Sequence, residues 1–384
     1  MTPDKPVVRE EIDDQVGTGV EYDPEAEEPD VISPYDPKLI RVDPKVYSIR
    51  QVLDIIDDTE LDLAPDFQRR RVWKPHQKSF LIESLLLRIP LPAFYFSSDE
   101  DGLMQVVDGV QRLSTIHEFV RGPSFGLDYL EYLEELRGKT FREIDGTLWS
   151  RRIYNTQISA NVIDPQTPVG VKFDIFKRIN TGGSPLNAQE IRHCMTRSRS
   201  RNFLMELSDS SAFQRVTGGR LKDHIRMVDR ELALRFAAFS LLREIDEYQT
   251  YGSMDDFLTK KNKELDDTLN VSDNRLQQLK EGFLRAMENA YVIFSTHAFR
   301  KWPENSDELY PINRALFDVW SVELSKISTA KVEAIATAVR SEARRLMTRD
   351  EDFIGSISTG TSGPTKVGLR FDRIRKILHG QSRV

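Results

Sequence analysis

The pentapeptide Asp108-Gly109-Val110-Gln111-Arg112 combines residue types that together can bind a phosphate group. A β-like run, MQVV, leads into Asp108, and apolar residues recur at helical spacing after it: Val110, Leu113, Ile116 and Val120. The sequence therefore predicts a strand, a tight turn and a helix. The first amides of a helix have no internal partners and carry the positive end of its dipole, so they favour an anion.

Each polar residue of the pentapeptide has a chemical role in this interpretation. Arg112 would contact phosphate with its guanidinium group, and Gly109 would let the backbone approach the ligand. Asp108 would hold Mg²⁺, usually through water, or orient an attacking water. Gln111 would hydrogen-bond a phosphate oxygen or that water. Asp-Gly between apolar runs is also a hairpin signal, and in that alternative Asp108 is only a turn residue.

Two further polar clusters are candidates for the same site. PDFQRRRVW contains Gln68 and Arg69, and it predicts an anion-binding edge. Its alternative is a solvated basic turn whose Trp73 packs on the core. FKRINTGGSPLN contains the second cluster, which comprises Asn180, Thr181, Gly182 and Gly183. Here the alternative is capping, with the glycines ending one helix and Asn187 beginning the next.

The predicted elements give an α+β chain. Short strands are expected around residues 94–96, 104–107 and 157–163, with a helix at 169–179. After residue 198 only helices are expected, at 223–245, 272–296, 308–327 and 330–347, followed by a loop over 354–366 and a basic terminal helix. We therefore predict a disordered leader at 1–44, a domain with a small sheet at 45–198, and an all-helical domain at 199–384.

Charge and composition exclude several classes of protein. The net charge of −7 comes from the leader, which has thirteen acidic and four basic residues, so the rest is close to neutral. The chain has no run of about 20 apolar residues and no apolar signal-peptide core, which predicts a cytoplasmic protein without a membrane span. One cysteine, Cys194, fits a reducing compartment and excludes an internal disulfide. No P-loop sequence and no histidine cluster of an HNH nuclease is present.

Four segments in order, PDFQRRRVWK, LIESLLLRIPLP, VVDGVQRLSTI and FKRINTGGSPLNAQEIR, resemble the N-terminal domain family of GmrSD type IV restriction enzymes. The resemblance covers about residues 45–195. It implies a ParB/sulfiredoxin-like fold and a domain that binds or hydrolyses nucleotides in bacterial defence against phage DNA. The family's DGQQR motif falls on residues 108–112, with Val110 in place of its first glutamine. That departure puts turnover in doubt more than binding.

The resemblance also implies which other residues belong to the site. The family's Gln-Arg pair falls on Gln68 and Arg69, and its Asn-Thr-Gly-Gly segment begins at Asn180. Glu83 and Glu190 match family positions as well, and we expect both to be structural ion-pair residues.

Three functions follow as expectations. The first is a sensor or hydrolase in which a nucleoside triphosphate and Mg²⁺ bind together. Asp108 and Gln111 would then orient water or metal, and Arg69 and Arg112 would stabilise phosphate charge. The second is a DNA-binding or DNA-nicking module. It is supported by the Arg69–Arg71 run, by the ten basic and five acidic residues of 340–384, and by Arg192, Arg197, Arg199 and Arg201. The third is a non-catalytic regulator of a separate effector protein. Assembly into a homo-oligomer is compatible with each, and no membrane partner is expected.

Overall fold

The chain folds into two units in a computed structural model. The structure describes residues 8–13, 16–22, 40–63, 73–99, 101–123, 125–179, 187–224 and 226–380. Residues 33–195 form the sheet unit, and residues 1–32 together with 196–384 form the helical unit. The predicted α+β class is confirmed, with a small mixed sheet in the first unit and mostly helices in the second.

Seven strands occur among the described residues. They are β1 (Glu10–Asp13), β2 (Val16–Glu21), β3 (Val42–Ser48), β4 (Leu61–Asp62), β5 (Phe94–Ser98), β6 (Met104–Asp108) and β7 (Gln157–Ile163). The last five form one sheet in the order β3-β7-β5-β6-β4. The β3/β7 and β5/β6 pairs are antiparallel, whereas β7/β5 and β6/β4 are parallel. The strands predicted near residues 94, 104 and 157 are therefore confirmed.

Seven α-helices occur in the described part of the sheet unit. They are α1 (Ile49–Asp57), α2 (Pro75–Leu86), α3 (Val110–Val120), α4 (Phe141–Ile144), α5 (Leu148–Asn155), α6 (Val169–Ile179) and α7 (Ala188–Cys194). Apolar residues of α1, α2, α3 and α5 pack on one face of the sheet, where Phe94, Phe96 and Val106 are fully buried. This core fixes the position of α3 relative to β5 and β6.

Helix α7 covers the opposite face of β6. Side chains alternate along a strand, so Val107 lies on the face opposite to Val106. Val107 is buried but does not belong to the core of the first face. Ile191 and Cys194 of α7 are likewise buried outside that core, and α7 packs against β6. The sheet is therefore covered on both faces at β6.

The helical unit contains nine further helices among its described residues. They are α8 (Ser198–Ser208), α9 (Ser211–Thr217), α10 (Val228–Ser240), α11 (Met254–Asp266), α12 (Asp273–Phe294), α13 (Arg314–Leu324), α14 (Thr329–Arg349), α15 (Glu351–Ser356) and α16 (Pro364–Gly380). Helices α10, α12 and α13 supply much of its core. The predicted loop over 354–366 is shorter than expected, because α15 and α16 extend into it. No helix of the described residues is long and apolar enough to cross a membrane.

Part of the predicted disordered leader is an ordered hairpin that packs on the helical unit. Strands β1 and β2 pair antiparallel, and Val20 is completely buried. The Glu21 carboxylate binds Lys301 Nζ at 2.7 Å and accepts a hydrogen bond from Asn313 Nδ2 at 2.8 Å. Backbone bonds join Glu21 and Gly19 to Ile312. The prediction of disorder is wrong for these strands, because their carboxylates and apolar residues find partners far along the chain.

Candidate functional site at the turn after strand β6

The predicted strand, tight turn and helix are confirmed at the motif. Strand β6 ends at Asp108, Gly109 has a φ of +97°, and α3 begins at Val110. A Cβ atom at Gly109 would lie 2.3 Å from Phe94 Cδ1. Glycine is therefore required here for two reasons, the left-handed backbone and the ring packed against the turn. The hairpin alternative is excluded, because a helix follows the turn.

Arg112 fastens this turn to the beginning of strand β5. Its Nη2 atom binds Asp108 Oδ2 at 2.9 Å and the Ala93 carbonyl at 3.3 Å, and its Nη1 atom donates to the Pro92 carbonyl. The guanidinium carbon lies 4.2 Å from the centre of the Phe94 ring. Burial lowers the pKa of Arg112, and the Asp108 charge opposes that shift. The arginine predicted to bind phosphate is thus already engaged by the protein.

These partners of Arg112 were not predicted from the sequence, although one signal for them is present there. Ile89-Pro90-Leu91-Pro92 forces an extended backbone, and residues 89–93 precede the first residue of β5. A carbonyl outside the strand ladder needs another donor when it is partly buried. An arginine in the first turn of the neighbouring helix supplies that donor.

Asp108 and Gln111 remain near the beginning of α3, as predicted. The Asp108 side chain is 35% exposed, and Arg112 binds its Oδ2 atom. Gln111 is half-buried. No group of three or more His, Cys, Asp or Glu side chains suited to a metal occurs among the described residues. Asp108 supplies one carboxylate to the motif. Mg²⁺ would therefore be held here in the way that is usual for this ion, by one carboxylate together with phosphate oxygens and water.

Val110 points into the apolar core rather than toward solvent. It is 4% exposed and packs in the same cluster as Leu113 and Ile116. A polar side chain at this position would be buried among apolar groups, which is unfavourable without a hydrogen-bond partner. The valine that departs from the DGQQR motif is therefore well accommodated.

The part of the chain that contains this turn matches a known protein family. Residues 52–196 match the family described as "GmrSD restriction endonuclease, N-terminal domain". This segment is a GmrSD-type N-terminal domain. The match runs from α1 through α7 and contains the whole strand–turn–helix motif. It implies a component of a restriction-like defence system. No curated protein matches the chain.

Five of the predicted site residues of the GmrSD-type domain lie outside the described residues. They are Gln68, Arg69, Asn180, Thr181 and Gly182. The elements next to these residues are described. Trp73 packs against the core of the first face, and Asn187 caps α7. The structure thus brings together Asp108, Gly109, Gln111 and Arg112 of the predicted set.

The two glutamates of the GmrSD-type domain have structural contacts, and those of Glu83 are backbone amides rather than the expected ion pair. Glu83 is 2% exposed and accepts hydrogen bonds from the amides of Glu131, Tyr132 and Leu133 at 2.8–3.1 Å. Burial disfavours its charge, yet these amides more than compensate and lower its pKa. Glu190 accepts from the Asn187 amide at 2.7 Å in a capping box.

The described basic residues of the C-terminal segment, which supported DNA binding, are engaged within the helical unit. Each of the nine described basic residues of 340–380 contacts a carboxylate or a backbone carbonyl: Arg340, Arg344, Arg345, Arg349, Lys366, Arg370, Arg373, Arg375 and Lys376. Arg199 likewise binds Asp273 and two carbonyls. The local excess of positive charge is therefore largely balanced by neighbouring groups of the fold.

Proposed function

We propose that the GmrSD-type domain binds a nucleoside triphosphate with its phosphates at the Asp108–Arg112 turn. The chain would then act as a nucleotide-dependent component of a restriction-like defence system. The observation that carries this proposal is the geometry of the turn. Gly109 lets β6 run directly into α3, so the amide end of that helix lies beside the partly exposed carboxylate of Asp108.

The contacts of Arg112 change its proposed role. Because it binds Asp108 and the Pro92 and Ala93 carbonyls, it acts as a positioning residue that fixes the carboxylate and the turn. The first-turn amides of α3 would then contact phosphate directly. By resemblance to the family, Gln68, Arg69 and the segment Asn180–Gly182 would supply the remaining polar contacts.

In hydrolysis, a water oxygen would attack the γ-phosphorus as the bond to the β,γ-bridging oxygen breaks, which gives a nucleoside diphosphate and inorganic phosphate. Asp108 and Gln111 would accept hydrogen bonds from that water and orient it. Mg²⁺, when bound, would neutralise phosphate charge. The second candidate is a regulator that binds nucleotide without turnover, and what favours it is the departure of Val110 from the family's DGQQR motif.

The test is a panel of the four common nucleoside triphosphates, with binding and phosphate release measured in the presence of Mg²⁺. Asp108→Asn should weaken the binding of the preferred nucleotide by roughly 10- to 100-fold, as expected for a lost interaction with a charged group. Asp57→Asn is the matched control. Asp57 is an ion-paired aspartate of similar exposure that contacts the other end of α3 through Arg121 and His117.

Each outcome of the panel decides between the candidate functions. Binding with phosphate release supports the hydrolase, and binding without release supports the regulator. Absence of binding by every triphosphate would refute the proposal. If the protein then bound duplex DNA with a steep dependence on salt, the DNA-binding alternative would be favoured instead.

A further inference from the structure

Strand β5 places Tyr95 directly beside Asp108. The two residues are opposite each other in the antiparallel β5/β6 pair, and the register shifts by one residue between Tyr95 and Phe96. This β-bulge sets two residues of β6, Val107 and Asp108, against the one residue Tyr95. Bulges are common next to active sites, where they redirect side chains. Opposed residues have Cα atoms about 4.5–5.5 Å apart, so Tyr95 and Asp108 are immediate neighbours.

The same row of the sheet continues to Asn161 on strand β7. Tyr95 and Asn161 are opposite each other in the parallel β5/β7 pair. Adjacent strands lie about 4.8 Å apart, so Asn161 is about 10 Å from Asp108 across the sheet. Side chains alternate along a strand, so Tyr95 and Asn161 point to the second face. The core of the first face contains their neighbours along the strands: Phe94, Phe96, Ala160 and Val162.

The second face is covered at one end of these strands and open at the other. Ile163 is completely buried and Ser97 is 9% exposed at the covered end. Val46 and Ser159 are opposite each other in the β3/β7 pair at the other end, and both are exposed. Tyr95 and Asn161 are half-buried between these two ends. The open end is the one at which β6 leaves the sheet toward α3, so the row of Tyr95 and Asn161 is accessible from the turn.

The chemistry of this surface is that of neutral polar groups. The Tyr95 hydroxyl and the Asn161 amide make no hydrogen bond with another residue that the structure describes. Toward the open end the described strands β3 and β7 add only uncharged side chains on this face: Pro44, Val46, Gln157 and Ser159. Neutral donors and acceptors beside an aromatic ring suit the sugar and base of a nucleotide, whereas phosphates favour charged partners.

We propose that Tyr95 and Asn161 bind the nucleoside portion of the nucleotide whose phosphates lie at the Asp108 turn. This inference rests on the proposed function and names the residues that contact the sugar or the base. The ligand runs from the turn along the row of the sheet. The Tyr95 hydroxyl and the Asn161 amide hydrogen-bond to its hydroxyl groups or to the polar atoms of its base.

The test compares the wild-type full chain with Tyr95→Phe and Asn161→Ala in the binding of the four common nucleoside triphosphates with Mg²⁺. Each variant should bind the preferred triphosphate about 3- to 10-fold more weakly, which corresponds to the loss of one neutral hydrogen bond. Without ligand, each should melt close to the wild type, because no hydrogen bond between described residues is lost. Tyr47→Phe is the matched control, since Tyr47 is a half-buried tyrosine packed against the core of the first face.

Inorganic tripolyphosphate separates the nucleoside from the phosphates. Both variants should bind tripolyphosphate as the wild type does and lose affinity only for the nucleotides. A loss that differs among the four bases identifies the base as the contacted part, and an equal loss for all four identifies the sugar. An equal loss for tripolyphosphate would overturn the inference, as would variants that bind every triphosphate like the wild type. Absence of nucleotide binding by the wild-type protein would instead refute the proposed function, and the inference with it.

Discussion

Glu83 fastens a loop to helix α2, and its removal should destabilise the sheet unit strongly. One oxygen, Oε1, accepts from the Tyr132 amide at 2.8 Å and from the Leu133 amide at 3.0 Å, and both oxygens accept from Glu131. Glu83→Ala leaves three amides without this acceptor. Each unsatisfied buried amide costs about 1–3 kcal/mol. Glu131 and Tyr132 are exposed residues, so water can replace part of the loss.

We therefore expect a loss of about 3 kcal/mol in the free energy of unfolding for Glu83→Ala. For a unit of this size the melting temperature should fall by roughly 6–12 °C. Glu83→Gln keeps one acceptor oxygen and should lose about half as much. Glu134→Ala is the control, because the side chain of Glu134 is 65% exposed and its ion pair with Arg137 is expected to contribute less than about 1 kcal/mol.

The dependence of the free energy of unfolding on pH, at acidic pH, provides an independent check. The pKa of Glu83 is lower in the folded protein than in the unfolded chain, so its contribution is present above the unfolded value of about 4.3. It is lost as the pH falls through the lower folded pKa. The stability difference between wild type and Glu83→Gln should therefore shrink below about pH 4.3. A melting temperature of Glu83→Ala within 1 °C of the Glu134→Ala control would refute this reasoning.

Two further substitutions test other parts of the structure. Gly109→Ala should destabilise the sheet unit by more than Gly102→Ala, because both have positive φ but only Gly109 has an aromatic carbon 2.3 Å from the added Cβ. Equal melting temperatures of the two variants would contradict the close packing at the turn. Glu21→Ala should destabilise the helical unit by about 3–5 kcal/mol, because it leaves buried Lys301 without its carboxylate. Glu206→Ala, which breaks an exposed ion pair, should cost less than about 1 kcal/mol in the same chemical denaturation experiment.

The sequence predicted the elements of the site better than their contacts. The turn at Gly109 could be predicted because helical periodicity begins directly after it, which is a local signal. The partners of Arg112 could not be predicted, because the Pro92 and Ala93 carbonyls lie 20 and 19 residues away in the sequence and contact Arg112 only in the folded sheet. The amide contacts of Glu83 lie 48–50 residues away. The residue type of Glu83 alone had suggested an ion pair with a cation.

The ordered strands β1 and β2 within the predicted leader could not be predicted for a related reason. The leader's acidic composition is typical of a solvated tail, and composition contains no information about distant partners. Glu21 finds Lys301 and Asn313 after 280 and 292 residues. Only the folded helical unit brings these groups to the hairpin. The acidic composition of the leader therefore did not determine its local structure at the hairpin.

The same hairpin sets an order of events during synthesis. Translation adds about 5–20 residues per second. About 14–56 s therefore pass between the synthesis of Glu21 and the addition of its partner Lys301. The whole sheet unit is made in that interval, and its longest-range described strand pairing, β3 with β7, is complete well before Lys301 appears. We therefore expect the sheet unit to fold first on the ribosome. The helical unit completes its folding last, because the hairpin of β1 and β2 binds Lys301 and Asn313, which are translated after the whole sheet unit.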